Sequence, residues 1–128
     1  MDFEKHFREW LVACLAEPSA SAAHAFAFNL YEPAGNPNVK FGVELIGTAS
    51  FDAEDPDWAC DEVWEPELRG IPIPVAYSGE DWEGCLENVK TLLVKILDGP
   101  DAAADKLKAV EAVAIGFVDG DLDVVWTP

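Results

Sequence analysis

The sequence predicts an α+β fold, an antiparallel sheet of four to five strands with helices packed on one face. Three stretches show helical periodicity, and several others alternate between apolar and polar residues with a period of two. The alternating stretches follow one another in pairs, whereas a parallel sheet would place a helix between successive strands. The predicted order is α-β-β-(β)-α-α-β-β, within a single domain of residues 1–128.

The first helix is predicted over residues 3–16. Its apolar residues recur at spacings of three and four, which places them on one side of a helix. Asp2 is a suitable N-cap, and Pro18 marks the end of the helix. The predicted buried side is formed by Phe3, Phe7, Trp10, Leu11, Cys14 and Leu15.

Two strands are predicted next, over residues 23–32 and 41–51. In the first, Phe26, Phe28 and Leu30 alternate with smaller side chains, so the strand has a heavy and a light face. The residues between the strands, PAGNPNVK, are typical of turns. We therefore expect an antiparallel hairpin.

The stretch FDAEDPDWACDEVWEPE, residues 51–67, is densely acidic and contains no basic residue. Trp58 and Trp64 share strand parity, which suggests a short third strand with both indoles on one side; a helical turn over residues 60–64 is the competing prediction. The run IPIP at residues 71–74 favours extended chain, either an edge strand or a covering strap, because proline lacks an N–H for a sheet ladder.

The second helix is predicted to begin at Ser78 as N-cap and to end at Gly99. Its apolar side runs from Trp82 to Leu97. A shorter helix is predicted over residues 101–109, followed by strands over residues 112–118 and 122–126. Asp-Gly at residues 119–120 is typical of the hairpin turn that would join them.

The net charge of −17, from 8 basic and 25 acidic residues, restricts the classes of partner. Binding to nucleic acid or to an anionic membrane is disfavoured, because both need Lys and Arg to contact phosphates. A basic protein partner is favoured instead. The amino-terminal residues do not resemble a signal peptide, no apolar run is long enough to span a bilayer, and the three cysteines are unpaired in spacing. We therefore expect a cytoplasmic protein, as a monomer or a homodimer.

No catalytic residue, metal ligand or cofactor is predicted. The sequence lacks a Gly-x-Ser-x-Gly elbow and a Cys-x-x-Cys pair, and Cys14 and Cys85 lie on apolar helix faces. Asp119, Asp121 and Asp123 alternate around a glycine, but the predicted hairpin turn explains them better than a calcium loop does. An enzyme is therefore not the expected class.

The predicted partner-binding surface lies in the acidic segment, which we define as residues 51–67. If one or both tryptophans are exposed, they would anchor an interface while the carboxylates select a basic partner. If both are buried, they fix the segment to the core and the carboxylates only solvate it. The candidate residues are Asp52, Glu54, Asp55, Asp57, Trp58, Asp61, Glu62, Trp64, Glu65 and Glu67.

The sequence also resembles a class of small acidic proteins. FNLYE in the first predicted strand, FGVELIG in the second and WACDEVW after it, within a compact acidic chain, look like the uncharacterised and immunity-type proteins of bacterial polymorphic toxin systems. The resemblance implies a cytoplasmic protein that binds and inhibits a cognate toxin, often a basic nuclease.

Two other functions remain open. A small ligand-binding or enzymatic domain would use carboxylates in a pocket between sheet and helices. A structural subunit would pair an apolar sheet edge or face in a homo-oligomer.

Overall fold

A computed structural model describes residues 2–33, 39–55, 57–100, 102–118 and 120–128, and it confirms the α+β class. The helices are α1 (Phe3–Leu15), α2 (Val75–Ser78), α3 (Trp82–Asp98) and α4 (Ala102–Leu107), with short 3-10 helices at Pro18–Ala22 and Trp58–Cys60. The strands are β1 (Ala25–Tyr31), β2 (Val39–Thr48), β3 (Glu62–Trp64), β4 (Gly70–Pro74), β5 (Val113–Phe117) and β6 (Asp123–Trp126).

The sheet has six strands and is mixed, which corrects the prediction of four to five antiparallel strands. The order is β3-β2-β1-β5-β6, with β4 also paired to β2. The hairpin of β1 and β2 is antiparallel as predicted, with Phe28 opposite Leu45. In contrast, β1 and β5 are parallel, with Phe28 opposite Ile115. The segments between them supply the long crossover that a parallel pair needs.

Strands β3 and β4 form one interrupted edge along β2. Trp64 pairs with Gly47, and Gly70 pairs with Glu44. Residues 65–69 therefore form a bulge between the two strands, because β2 supplies only residues 45–46 opposite them. The IPIP run is the edge strand β4, where the missing N–H groups of its prolines are tolerated.

The two faces of the sheet differ in the size of their side chains. On one face, the large residues of the strands pack against α1, α3 and α4 in the main core. The helices therefore lie on one face, as predicted. The opposite face, here called the open face, contains a small cluster of Ala25, Ala112, Ala114 and Trp58, with Phe51, Ala59 and Leu122 packed against it.

Helix caps were predicted well at α1 and poorly at α3. Asp2 accepts hydrogen bonds from the backbone N–H groups of Glu4 and Lys5. However, α3 begins at Trp82 with Asp81 as N-cap. Ser78 belongs to the short helix α2, which ends at Gly79 with φ 77°. Most of the predicted first turn, residues 34–38, and Asp119 of the last turn lie outside the described residues.

Candidate functional site

The acidic segment is a folded excursion from the end of β2 to β3. The Asp52 carboxylate accepts the N–H of Glu54 at 2.9 Å, and the Asp55 carboxylate accepts the N–H of Asp57 at the same distance. The 3-10 helix Trp58–Cys60 follows. The N–H of Ala49 donates to the carbonyl of Asp61 at 2.9 Å, which closes the excursion where β3 begins.

Trp58 fastens the middle of this segment to the open face of the sheet. Its side chain is 7 % exposed and packs with Ala25, Ala112 and Ala114. Phe51 meets the indole edge-on, with ring centroids 5.0 Å apart. The alanines leave room for the large ring, so the small side chains of β1 and β5 on this face have a packing function.

Trp64 fastens the end of the segment to the main core on the other face. It is 5 % exposed and meets Phe26 edge-on at 5.8 Å. The prediction that both tryptophans lie on one side is therefore wrong. The 3-10 helix at Trp58–Cys60 breaks the strand alternation on which that prediction relied.

The burial of both indoles decides between the two interpretations of the segment. Neither Trp58 nor Trp64 is available to anchor a partner, so the structure favours a fixing role for both. The carboxylates remain candidates, because every one of them is exposed. They are Asp52, Glu54, Asp55, Asp57, Asp61, Glu62, Glu65 and Glu67.

Arg69 neutralises part of this charge. It donates to Glu44 at 3.1 Å, to Glu62 at 2.9 Å and also to Glu65. The hydrogen bond that Arg69 donates to Glu62, with those it donates to Glu44 and Glu65, raises the pKa of Arg69 further above its usual range. This guanidinium ties β2, β3 and the bulge together. The sequence indicates that Arg69 pairs with nearby carboxylates, because it is the only basic residue between Lys40 and Lys90.

Four carboxylates of the segment are unpaired among the described residues. Glu54, Asp57, Asp61 and Glu67 form no ion pair or side-chain hydrogen bond with any residue that the structure describes. They flank the buried Trp58 and Trp64 in sequence. A set of unpaired, exposed carboxylates on a fixed backbone is therefore the main electrostatic feature of the segment.

A depression of about 640 Å³ lies over the open face, next to the acidic segment. Trp58, Asn29, Arg69 and Leu122 are among its lining residues. The predicted ligand pocket lay between sheet and helices, so this depression is on the other side of the sheet. Ligand binding and homo-oligomer formation both stay predictions.

A second acidic surface, here called the Trp82 groove, lies outside the residues predicted to bind a partner. Trp82 was assigned to the buried side of its helix, yet it is 55 % exposed. The helix begins at this residue, so the indole extends beyond the end of the core. The groove encloses about 510 Å³ and is lined by Glu32, Trp82, Leu86, Phe117, Gly120, Asp121 and Asp123.

The cysteines divide into two buried thiols and one exposed thiol. Burial, helped by the nearby charge of Glu17, raises the pKa of Cys14 to about 12, and burial alone raises the pKa of Cys85 to about 12. Cys60 is exposed. Because the thiolate is the reactive form, Cys14 and Cys85 are poor nucleophiles in the folded chain.

We therefore expect an aromatic disulfide reagent at pH 8 to modify one thiol in the folded protein and three after denaturation. Cys60→Ser should abolish the rapid reaction, and rapid modification of the folded variant would contradict the assignment.

The raised pKa values of Cys14 and Cys85 also predict how the stability of the fold depends on pH. The stabilisation that comes from burying these two neutral thiols is complete below about pH 9 and is lost as the pH rises towards 12.

Other kinds of site find no support in the described part of the chain. Its His, Cys, Asp and Glu side chains form no group of three placed to hold a metal ion. None of its helices combines the length and apolar character needed to cross a membrane. No protein-family model matches the sequence, and no curated protein or solved structure matches it significantly. The function proposed below therefore rests on the charges and contacts of the chain.

Proposed function

We propose that this chain is a cytoplasmic acidic binding protein that inhibits a basic protein by direct contact, as an immunity protein inhibits its toxin. The observation that carries the proposal is the exposure of the carboxylates of the acidic segment while Trp58 and Trp64 are buried. The charges are thus displayed by a segment fastened to both faces of the sheet. The proposed partner surface comprises these carboxylates, without the two indoles.

A fixed acidic surface suits the recognition of a basic partner for two reasons. Less conformational entropy is lost on binding when the backbone of the surface is already held by the fold. Charges around an interface also accelerate the encounter with an oppositely charged protein, especially at low salt. The free thiols of Cys14, Cys60 and Cys85 suit a reducing compartment, which supports the cytoplasmic part of the proposal.

The test begins with partner identity, for which a basic toxin domain encoded next to this chain is the first candidate. Association rates are then measured by surface plasmon resonance at low and moderate salt. The diagnostic variant neutralises the four unpaired carboxylates of the segment, with the changes Glu54→Gln, Asp57→Asn, Asp61→Asn and Glu67→Gln. We expect its association rate at low salt to fall by about tenfold, and the salt dependence to weaken.

A matched control removes the same charge from other exposed positions. It carries Glu9→Gln, Glu87→Gln, Asp98→Asn and Asp105→Asn, all outside the acidic segment. The control should lower the association rate much less, because only the long-range field of the whole protein changes. Equal rates for the two variants would exclude the segment as the binding surface.

A further inference from the structure

The aromatic side chain of Trp82 is exposed to solvent. It is 55 % exposed, whereas Trp10, Trp58 and Trp64 are at most 7 % exposed. Burying so large an apolar surface would normally stabilise the fold, and exposed indoles are typical anchors of interfaces. The exposure of Trp82 therefore needs an explanation other than packing.

The orientation of the Trp82 indole is set by the fold. Trp82 is the first residue of α3, where the Asp81 carboxylate caps the helix by accepting the N–H of Gly84 at 2.6 Å. Phe117 of β5 meets the indole edge-on at 6.0 Å with an interplanar angle of 90°. An aromatic ring held by a helix start and a strand loses little freedom when a ligand covers it.

The rim of the Trp82 groove carries uncompensated negative charge. Lys90 pairs with Asp123 at 3.3 Å, so that carboxylate is partly neutralised. Glu32 and Asp121 have no ion pair with any described residue, and none of the lining residues is basic. A neutral apolar ligand would desolvate these carboxylates without pairing them, and an anion would be repelled.

We propose that the Trp82 groove binds an arginine side chain of the basic partner. The guanidinium stacks on the indole of Trp82 and donates to Glu32 or Asp121, while its aliphatic stem packs on Leu86. Arginine fits better than lysine, because its planar, weakly hydrated head stacks on aromatic faces and pairs with carboxylates through two donors. This inference rests on the proposed function only in taking the partner to be basic, since the groove lies outside the acidic segment.

The probe for the test is the blocked tripeptide acetyl-glycyl-arginyl-glycinamide, titrated into the full chain labelled with ¹⁵N. The signal of the Trp82 indole is assigned with Trp82→Phe and followed by NMR. We expect this signal to shift and to saturate with a dissociation constant of about 1 mM or weaker, as suits a single side-chain contact. The analogue with citrulline, which has nearly the same shape without the charge, should produce no saturable shift.

Two variants separate the elements of the groove. Trp82→Ala should abolish saturable binding of the tripeptide, which in this variant is followed through the backbone amide signals of Leu86 and Phe117 in the groove. Glu32→Gln combined with Asp121→Asn leaves the indole intact and should weaken binding about three- to tenfold. Glu9→Gln combined with Asp98→Asn removes the same charge elsewhere and should leave the dissociation constant nearly unchanged. The Trp82 indole signal itself reports whether each variant that retains it is folded.

The outcomes keep this inference distinct from the proposed function. No shift at Trp82, an equal shift with the citrulline analogue, or full affinity after Glu32 and Asp121 are neutralised would overturn the groove as an arginine site. The four-residue variant of the acidic segment should still bind the tripeptide at Trp82. If that variant also associates with the partner at the unchanged rate, the proposed surface fails while the groove stands.

Discussion

Trp64→Ala should destabilise the fold by about 3–5 kcal/mol, the largest effect expected among the substitutions considered. The indole is 5 % exposed, lies in the main core and contacts Phe26. Its removal leaves a cavity at the point where β3 joins the edge of β2. Urea unfolding should therefore show a lower midpoint with an unchanged slope.

A comparison of two phenylalanine substitutions shows what the Trp64 indole contributes. Its Nε1 is buried without a hydrogen-bond partner among the described residues, whereas Nε1 of Trp10 donates to the carbonyl of Leu68 at 2.7 Å. Trp64→Phe removes an unpaired donor, and Trp10→Phe removes a hydrogen bond. We expect Trp10→Phe to lower the free energy of unfolding by about 1 kcal/mol more than Trp64→Phe does. Equal costs would mean that the N–H of Trp64 has a partner, such as a bound water.

Trp58→Ala should have the second large effect, a loss of about 2–3 kcal/mol accompanied by local release of the acidic segment. The cluster around Trp58 is small, so the loss should be less than for Trp64. Limited proteolysis with an enzyme that cleaves after glutamate should show faster cutting at Glu54. Trp82→Ala makes the same chemical change at an exposed site and should cost under about 1 kcal/mol.

Slow cleavage of Trp58→Ala at Glu54, together with a cost as small as that of Trp82→Ala, would show that the segment does not depend on the indole. The expected result would instead separate two roles within residues 51–67. Trp64 would contribute to global stability, and Trp58 would hold the middle of the segment against the open face.

Local patterns were sufficient to predict most of the elements. The three- and four-residue spacing of α1, its cap at Asp2 and the alternation of Phe26, Phe28 and Leu30 all reflect interactions between residues close in the chain. The parallel pairing of β1 with β5 was not predicted, because it joins segments more than 80 residues apart. A short alternating run does not identify its partner strand.

The candidate site was predicted in its charge and only partly in its geometry. Exposure of the carboxylates follows from their chemistry, since charged groups are rarely buried without partners. The opposite sides of Trp58 and Trp64 depend on a 3-10 helix that strand parity does not indicate. The role of Arg69 depends on Glu44, 25 residues away, and the exposure of Trp82 depends on where α3 begins.

The proposed function requires the acidic segment to be a fixed surface, and amide hydrogen exchange tests this most directly. The N–H of Ala49 donates to Asp61, that of Trp58 to Asp55 and that of Cys60 to Asp57. We expect these amides in the unmodified protein to exchange at least about tenfold more slowly than in an unstructured chain. Exchange at the unstructured rate at Trp58 and Cys60 would contradict a fixed acidic surface, because the carboxylates would then belong to an unstructured stretch of chain.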